Sequence, residues 1–432
     1  MRKYVFILLL ISHFAYGQST DSLDIFQCFE ATEKNYPKSE EKQLIENQTS
    51  LELKNIQAQW YPQVNLNAQA TYQSDVVQVD IGNDLPFPVD FPTASRDQYK
   101  ATVDVNQTIY DGGVTQSSKE LEKIKGEANR KSVDVSLHQV KEQVANAFFG
   151  ILLLQKQQAI VENMLEELKK KKKTVKASVE SGVLLSSDLK SIQAELLRLE
   201  QNRDELSEKL NANTQVLEEL TGLNLKTNDH FILPEIQIGD SLNYNRPEHE
   251  LFRLQSKQLE QNKSLVKSQR LPKVFAFGQV GYGKPGLNML KDEFDSFYLV
   301  GLKLKWNIWD WNQNSRKRQI LEVQREKVNV QRKTFNKKIN VNLQSVLADI
   351  ANYRKAIERD EKIITLRQEV AESAKSKLEN GTITSSEYIS ELNQLKNAKI
   401  KYEEHRVKLK KAKLDYLLTR GISDVENKNT EK

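Results

Sequence analysis

Residues 99–113 read YKATVDVNQTIYDGG, and residues 298–312 read YLVGLKLKWNIWDWN. In both stretches nearly every second residue is apolar, until the sequence reaches an isoleucine, an aromatic residue and an aspartate. A period of two places the apolar side chains on one face of a β-strand and the other side chains on the opposite face. Residues 64–72 and 274–282 alternate in the same way. The chain therefore predicts four strands of about 10 residues, each with one apolar face.

The two quoted stretches belong to a duplication that runs through the chain. Pro62 recurs 210 residues later as Pro272, whereas Asp111 recurs 199 residues later as Asp310. The offset changes in the first copy's loop, residues 75–98, which either partly closes that end of the structure or is a tolerated insertion. Copies this long are not solenoid repeats. They predict one structural unit used twice, with pseudo-symmetry inside one chain.

Prolines and glycines divide both copies into the same elements. No proline occurs between Pro92 and Pro234 or after Pro285. An interior proline costs a helix about 3 kcal/mol, so the long helices are expected in these intervals. We predict a signal peptide at 1–17, a connector at 223–243 and a disordered tail at 422–432. The first repeat, 18–222, is predicted to contain short helices, a strand hairpin at 60–111, a long helix at 113–181 and a return helix at 187–221. The second repeat, 244–421, is predicted to contain a helix, a strand hairpin at 271–310, a long helix at 312–380 and a return helix at 386–420.

The composition favours long, partly exposed helices over a large compact core. Only 38% of residues are hydrophobic, 28% are charged, and the mean hydropathy is −0.63. A polar helix needs only a narrow apolar stripe to pair with another helix. Such a seam, at heptad spacing, is predicted in the first return helix at Leu189, Ile192, Leu196, Leu199, Leu206, Leu210, Leu217 and Leu220. A weaker seam is predicted in the second return helix at Tyr388, Leu395, Ala398, Tyr402, Leu409 and Tyr416.

The N-terminus predicts export. Arg2 and Lys3 precede a short apolar run, and a small-x-small cleavage site follows at residues 15–17. Removing this peptide lowers the formal net charge from +5 to +3, so no nucleic acid partner is expected. Cys28 is the only cysteine, which excludes an intrachain disulfide and favours a buried structural thiol.

Nothing in the sequence indicates an enzyme. There is no nucleophile motif, no metal-ligand spacing and no phosphate-binding glycine loop, so no catalytic residue, metal or cofactor is predicted. The histidines of the predicted mature chain are isolated in sequence: His138, His230, His249 and His405.

Aromatic residues at the strand ends indicate a membrane location for the strands. Such residues form girdles at both membrane interfaces of outer-membrane barrels, and about 10 residues suffice for a tilted strand to span the bilayer. Four strands cannot close a barrel, and open edges are not tolerated in lipid, so at least two chains are required. The predicted girdle residues are Trp60, Tyr72, Tyr99, Tyr282, Tyr298, Trp306 and Trp309.

The order of short helix, strand hairpin, long helix and return helix, present twice, resembles the TolC-type outer membrane efflux proteins. The resemblance covers nearly the whole mature chain. It rests on Asn35-Tyr36-Pro37 and Asn245-Arg246-Pro247, Trp60-Tyr61-Pro62 and Leu271-Pro272, Tyr110-Asp111-Gly112-Gly113 and Trp309-Asp310-Trp311-Asn312, and Ser181-Gly182-Val183-Leu184 and Asn380-Gly381-Thr382-Ile383.

The resemblance implies a fold that is mainly α-helical, with a β-barrel portion. Long antiparallel coiled-coil helices would form a periplasmic tunnel. Four transmembrane strands per chain would give a 12-stranded barrel in a homotrimer, located in the outer membrane lipid. The helix–helix turns would form a tip that meets a periplasmic adaptor, which links the tunnel to an inner-membrane pump.

We predict that the two helix–helix turns contact the adaptor. Glycine and serine there also end one helix and begin the next. Apolar residues at an exposed turn nevertheless favour a partner protein, and charged substitutions at Leu184 and Ile383 are expected to abolish efflux without loss of trimers. The candidates are Gly182, Val183, Leu184, Ser187, Asp188, Gly381, Thr382, Ile383, Ser386 and Glu387. Charged residues before the second turn would either form a pore constriction or face solvent: Glu372, Lys375, Lys377 and Glu379.

The sequence thus predicts the exit duct of a tripartite efflux complex. Two alternatives stay open at this point. The first is the outer-membrane component of type I protein secretion, and the second is a periplasmic coiled-coil scaffold without a barrel.

Overall fold

The computed structural model describes residues 22–77, 95–238 and 245–422. The predicted signal peptide and the tail from residue 423 lie outside the described residues. So do residues 78–94 of the first-copy loop and residues 239–244 at the end of the connector.

The described residues form seven α-helices, one short 3-10 helix and four β-strands. Their order along the chain is α1 Ile25–Asn35, the 3-10 helix Pro37–Ser39, α2 Glu41–Ala58, β1 Gln63–Tyr72, β2 Asp97–Tyr110, α3 Val114–Glu180, α4 Ser186–Thr221, α5 Pro247–Ser268, β3 Lys273–Lys284, β4 Asp295–Lys305, α6 Gln313–Glu379 and α7 Ser385–Arg420. Helices α3 and α6 have 67 residues each, and α4 and α7 have 36 each. The predicted fold class, mainly helical with four strands, is confirmed.

The chain divides into two compact units that cut across the repeats. As far as it is described, the helical unit comprises Met1–Ser39, Val135–Arg246 and Lys337–Lys432. The sheet unit comprises Glu40–Asp134 and Pro247–Asn336. Both units contain residues of both copies, so the copies are not separate domains.

Two apolar clusters form the core of the helical unit. The first contains Phe148, which is fully buried and packs edge to face against Phe231 with a centroid distance of 5.4 Å. Cys28 belongs to the same cluster, where burial raises the pKa of its thiol to about 12 and keeps it protonated. The second cluster joins α3 and α4 to the last part of α6 and the start of α7; it includes Leu165, Leu168, Ile192, Leu199, Leu378 and Tyr388.

The predicted leucine seam of α4 is largely buried, at Ile192, Leu196, Leu199, Leu206, Leu210 and Leu217. The seam predicted for α7 is wrong beyond its first turns. Tyr402, Leu409 and Tyr416 are only half-buried, whereas Val407, Leu414 and Leu417 are buried instead. A straight α-helix drifts by about 20° per heptad relative to a strict seven-residue repeat, so the buried stripe moves to neighbouring positions along α7.

The sheet unit contains one antiparallel sheet with the order β1-β2-β3-β4. Leu66 lies opposite Val103, which lies opposite Val280 and then Tyr298, so these four side chains share one face. The opposite face carries Asn65, Asp104, Gln279 and Leu299 in one row.

Strand β4 ends at Lys305, earlier than the alternation up to Ile308 predicts. Lys305 pairs with Lys273, the first residue of β3. Pro272, which precedes Lys273, has no N–H to donate to a further strand pair. The sequence beyond Lys305 therefore has no partner strand among the residues that the structure describes.

The turns that lead from the sheet into α3 and α6 share one feature: an aspartate side chain accepts hydrogen bonds from backbone N–H groups at the start of the helix. Asp111 accepts hydrogen bonds from the backbone N–H groups of Gly113 at 2.8 Å and Thr115 at 2.6 Å. Asp310 accepts the equivalent bond from Asn314 at 2.9 Å. The residues that follow each aspartate are left-handed: Gly112 and Gly113 have φ of 72° and 82°, and Trp311 and Asn312 have φ of 52° and 61°. Glycine adopts this conformation freely, whereas a tryptophan there is strained.

Two glycines of the sheet lie beneath phenylalanine rings. Gly281 faces Phe297 across β3 and β4, and Gly301 faces Phe277. A Cβ at Gly281 would overlap the ring of Phe297, whereas a Cβ at Gly278, on the other face, would lie 3.8 Å from Val300 Cγ1.

The substitution Gly281→Ala is therefore expected to lower the free energy of unfolding of the sheet unit by about 1–3 kcal/mol, because the added methyl group displaces a packed ring. Gly278→Ala is the matched control and is expected to change it by less than about 0.5 kcal/mol. All four tryptophans of the chain adjoin the strands, so denaturant unfolding followed by tryptophan fluorescence reports on this unit. Equal midpoints for the two variants would contradict the close packing.

Candidate functional site

The two helix–helix turns, residues 181–185 and 380–384, lie against each other in the helical unit; together with the first residues of α4 and α7 they are called the tip. Gly182 and Gly381 have φ of 78° and 67°, which ends α3 and α6 by a left-handed residue. A Cβ at Gly381 would lie 3.4 Å from Val183 Cγ1, so the first turn contacts the second.

Asp188 holds the two turns of the tip together. Its side chain is buried, and its carboxylate accepts a hydrogen bond from Leu185 N at 3.2 Å and another from Ser385 N at 2.7 Å. One carboxylate thus caps the N-termini of both α4 and α7, where backbone N–H groups lack helical partners. The sequence predicted a serine cap for the return helix and gave no sign that Asp188 caps two helices.

Glu387 occupies the equivalent place in the second copy and acts only on its own helix. Its carboxylate accepts hydrogen bonds from Thr384 N at 2.8 Å and Thr384 Oγ1 at 3.0 Å, and these bonds lower the pKa of Glu387. The side chain is exposed.

The hydroxyl groups of the tip make short-range contacts. Thr382 Oγ1 donates to Lys377 O at 2.9 Å, which closes the end of α6. Ser386 Oγ donates to Ser191 Oγ at 3.3 Å, which adds a second link between α4 and α7. Ser187 is exposed, and its carbonyl accepts a hydrogen bond from Ser191 Oγ at 3.0 Å.

The apolar residues of the tip differ from the prediction in their exposure. Val183 is 57% exposed, but Leu184 and Ile383 are half-buried and pack against the second core cluster. Leu185, which was not predicted, is 70% exposed. Leu184 and Ile383 each precede the N-cap residue of a helix, the position whose side chain commonly packs back onto the first turn as a hydrophobic staple. That pattern could have identified them as inward-facing, leaving Val183 and Leu185 as the exposed apolar pair.

The four predicted constriction residues are all exposed on the last turns of α6. Glu372, Lys375 and Glu379 have the spacing of one helix face, whereas Lys377 lies on another face. Glu379 pairs with Lys171 Nζ at 2.7 Å, and this hydrogen bond lowers the pKa of the Glu379 carboxyl. Within one chain the four residues therefore do not form a single cluster.

Sequence reasoning missed a polar connection between α3 and the second copy. Lys171, from the lysine run of α3, is buried beside the ring of Tyr388, with its Nζ 5.6 Å from the ring centroid. The Tyr388 hydroxyl donates to Glu167 Oε1 at 3.0 Å. The run of five lysines gave no indication that one member would be buried against a tyrosine.

The predicted girdle residues lie at the two ends of the sheet. Trp60 precedes β1, and Trp306 and Trp309 follow β4, where they are 54% and 70% exposed. At the other end Tyr72, Tyr99, Tyr282 and Tyr298 are exposed, and Phe294, which was not predicted, stacks on Tyr99 and Tyr282 at centroid distances of 6.1 and 5.5 Å.

A broad apolar face lies between these aromatic ends. Its members are highly exposed although they are large and hydrophobic: Val64, Leu66, Val280, Val300, Leu302 and Leu304. Soluble proteins rarely leave an apolar surface of this kind in water. An apolar band between two aromatic girdles is typical of the lipid-facing side of a membrane sheet.

No helix within the described ranges is long and apolar enough to cross a membrane. Among the residues that the structure describes, no group of three or more histidine, cysteine, aspartate or glutamate side chains is placed to hold a metal ion.

Comparisons with known proteins agree with this geometry. Residues 47–223 match the family model of the outer membrane efflux proteins. No curated protein matches the chain. Among solved structures, the Campylobacter jejuni CmeC outer membrane channel is 13% identical, with a TM-score of 0.69 over 94% of this chain and 87% of that one. CusC, whose structures concern transmembrane channel formation, is 13% identical, with a TM-score of 0.70 over 92% and 91% of the two chains.

The outer membrane protein VceC from Vibrio cholerae is 14% identical, with a TM-score of 0.66 over 92% of this chain and 96% of that one. At such identities the likeness shows the fold, while the family match adds evidence from the sequence of the first repeat. The first repeat is thus similar in sequence to the outer membrane efflux proteins, and the described residues share the fold of the CmeC, CusC and VceC structures.

Proposed function

We propose that three copies of this chain form the outer-membrane channel and periplasmic tunnel of a tripartite efflux complex. The observation that carries the proposal is the sheet: its apolar face is exposed between aromatic ends, and β1 and β4 have no partner on their outer edges among the described residues. Open edges are not tolerated in lipid. Pairing of β4 with β1 of the next copy satisfies both edges and closes a barrel.

The helix lengths support the same assembly. The long helices match each other in length, as do the two return helices, although the loops between the strands differ. Equal lengths allow the two copies to take quasi-equivalent places around one tunnel. Three chains then supply 12 strands, an even number within the range of outer-membrane barrels.

The tip supports contact with a periplasmic adaptor. Val183 and Leu185 present an apolar surface on turns that Asp188 holds in a fixed arrangement. Apolar groups on a preorganised surface favour binding, since little conformational entropy is lost. Transport through the duct is passive in this proposal, with no catalytic step in the chain, and the inner-membrane pump supplies the energy.

Membrane fractionation tests the proposal. The full chain, expressed with its N-terminal segment in a Gram-negative host, is expected in the outer membrane as an oligomer of three chains that heat dissociates. Leu302→Arg, on the apolar face, is expected to prevent this assembly, because an arginine at the lipid face costs about 2–4 kcal/mol. The matched control, Lys303→Gln on the adjacent residue of the other face, is expected to assemble normally.

Recovery of the unaltered chain as a soluble periplasmic protein would contradict the proposal and favour a scaffold without a barrel. Crosslinking from the tip then separates efflux from protein secretion, since the captured adaptor and its pump differ between the two systems.

A further inference from the structure

The polar face of the sheet is uneven in its chemistry. Strands β1 and β2 supply amides, hydroxyls, one carboxylate and the ammonium group of Lys100, as the predicted alternation requires. Strands β3 and β4 instead place Phe275, Phe277 and Leu299 on this face, where the rings are half-buried and Leu299 is 46% exposed. Apolar groups on the polar face have no role in lipid contact, because they point away from the apolar face.

These apolar groups line a cavity of about 940 Å³ within the sheet unit. Asn65, Asn67 and Gln279 form one part of its wall, and Lys303 and Lys305 form another. In the strand register Phe275 lies directly opposite Lys303, and Phe277 lies opposite Gly301, over which its ring packs. The cavity thus combines an aromatic floor with a basic margin.

The carboxylate of the cavity is already held by neutral partners. Asp104 accepts hydrogen bonds from Asn67 Nδ2 and Gln279 Nε2, both at 2.5 Å, and from Thr102 Oγ1 at 3.2 Å. These bonds link the side chains of β1, β2 and β3 to one another.

The lysines of the cavity lack an anionic partner. Lys303 and Lys305 are exposed, and neither forms an ion pair with a residue that the structure describes. Lys305 lies directly opposite Lys273 in the β3–β4 pair. Like charges directly opposite each other in an antiparallel pair are unfavourable, and an anion between them relieves the repulsion.

We propose that this cavity binds an anionic amphiphile with a flat aromatic part. Its anionic group lies at Lys303 and Lys305, and its ring lies on Phe275, Phe277 and Leu299. A cationic ligand would be repelled by the two lysines, and a purely polar anion would make no apolar contact with the phenylalanine rings. The consequence for transport rests on the proposed function. If the chain forms a channel, this cavity lies on the wall of its pore and selects the class of solute that passes.

The test uses the full chain in lipid nanodiscs and 2-naphthalenesulfonate as the probe, with binding measured by calorimetric titration. The unaltered chain is expected to bind the probe saturably and to show no binding of naphthyltrimethylammonium. The double variant Lys303→Gln, Lys305→Gln is expected to bind the sulfonate about tenfold more weakly, as follows from losing hydrogen bonds to a charged group. Phe275→Leu keeps the position apolar and is expected to weaken binding about threefold through loss of ring stacking.

Lys100→Gln is the matched control. Lys100 lies on the same face but outside the cavity, over the ring of Phe297 at 5.2 Å, so its loss is expected to leave the affinity unchanged. Tryptophan fluorescence on each sample verifies that the variants are folded. Equal affinity of the double variant and the unaltered chain, or equal binding of the cationic probe, would overturn the inference. Membrane fractionation tests the channel separately, so binding without outer-membrane assembly contradicts the proposed function alone.

Discussion

Replacing Val183 and Leu185 together by glutamate is expected to abolish efflux while the assembled oligomer stays in the outer membrane. The two side chains are 57% and 70% exposed, so charges there need no rearrangement of the core. At an interface with the adaptor the same charges would be desolvated without partners, which typically costs several kcal/mol. Drug or dye accumulation in cells that depend on this channel measures efflux, and heat-dissociable oligomers in the outer membrane measure assembly.

The conservative pair Val183→Ile, Leu185→Met keeps the tip apolar and is expected to retain efflux. Undiminished efflux by the glutamate pair would show that these residues do not form the adaptor contact. The corresponding charges at Leu184 and Ile383 are expected to act differently, because both side chains pack against the second core cluster. There, loss of efflux should be accompanied by a lower unfolding temperature of the helices.

The second large effect is expected at Arg246, where substitution by alanine should lower the free energy of unfolding by about 2–4 kcal/mol. The guanidinium is buried in the helical unit and donates to Leu418 O at 3.1 Å and to His138 Nε2, with Glu142 Oε1 at 3.5 Å. Leu418 lies in the last turn of α7, where a cation is favourable, and its carbonyl also accepts a hydrogen bond from Gly421 N at 2.9 Å. Without Arg246 that buried carbonyl loses a charged donor.

Urea unfolding followed by circular dichroism measures this effect, because the helices dominate that signal. Arg246→Lys is expected to restore only part of the stability, since a single ammonium group cannot reproduce the fork of a guanidinium. Arg253→Ala is the matched control: Arg253 is exposed, and its ion pair, to Glu250 at 2.5 Å, lies on its own helix, so the midpoint is expected to stay unchanged. A midpoint for Arg246→Ala equal to that of the control would refute the structural role.

The architecture was predictable because two strong periodicities and a duplication constrain it together. Alternation gives the strands one apolar face, heptad leucines give α4 its seam, and glycines mark the helix ends at Gly182 and Gly381. Each of these signals is local, and each follows from backbone geometry alone.

The errors arose where a residue's environment depends on another segment. The buried stripe of α7 moves away from Tyr402 because a straight helix does not follow a strict heptad, and β4 ends at Lys305 because its partner strand begins after a proline. The inward turn of Leu184 could have been read from its place before the N-cap. The shared bonds of Asp188 and the burial of Lys171 could not, since both join residues almost 200 positions or more apart.

The left-handed residues Trp311 and Asn312 mark a difference between the two halves of the duplication. Where the first half keeps a glycine pair, the second carries an indole ring that is 74% exposed beside the ring of Trp309. A side chain in this conformation typically costs about 1–3 kcal/mol. In the proposed channel the exposed indole of Trp311 would lie at the lipid headgroups, and its anchoring there would offset this cost. The turn after β4 would then draw part of its stability from the bilayer, whereas the glycine turn after β2 would not.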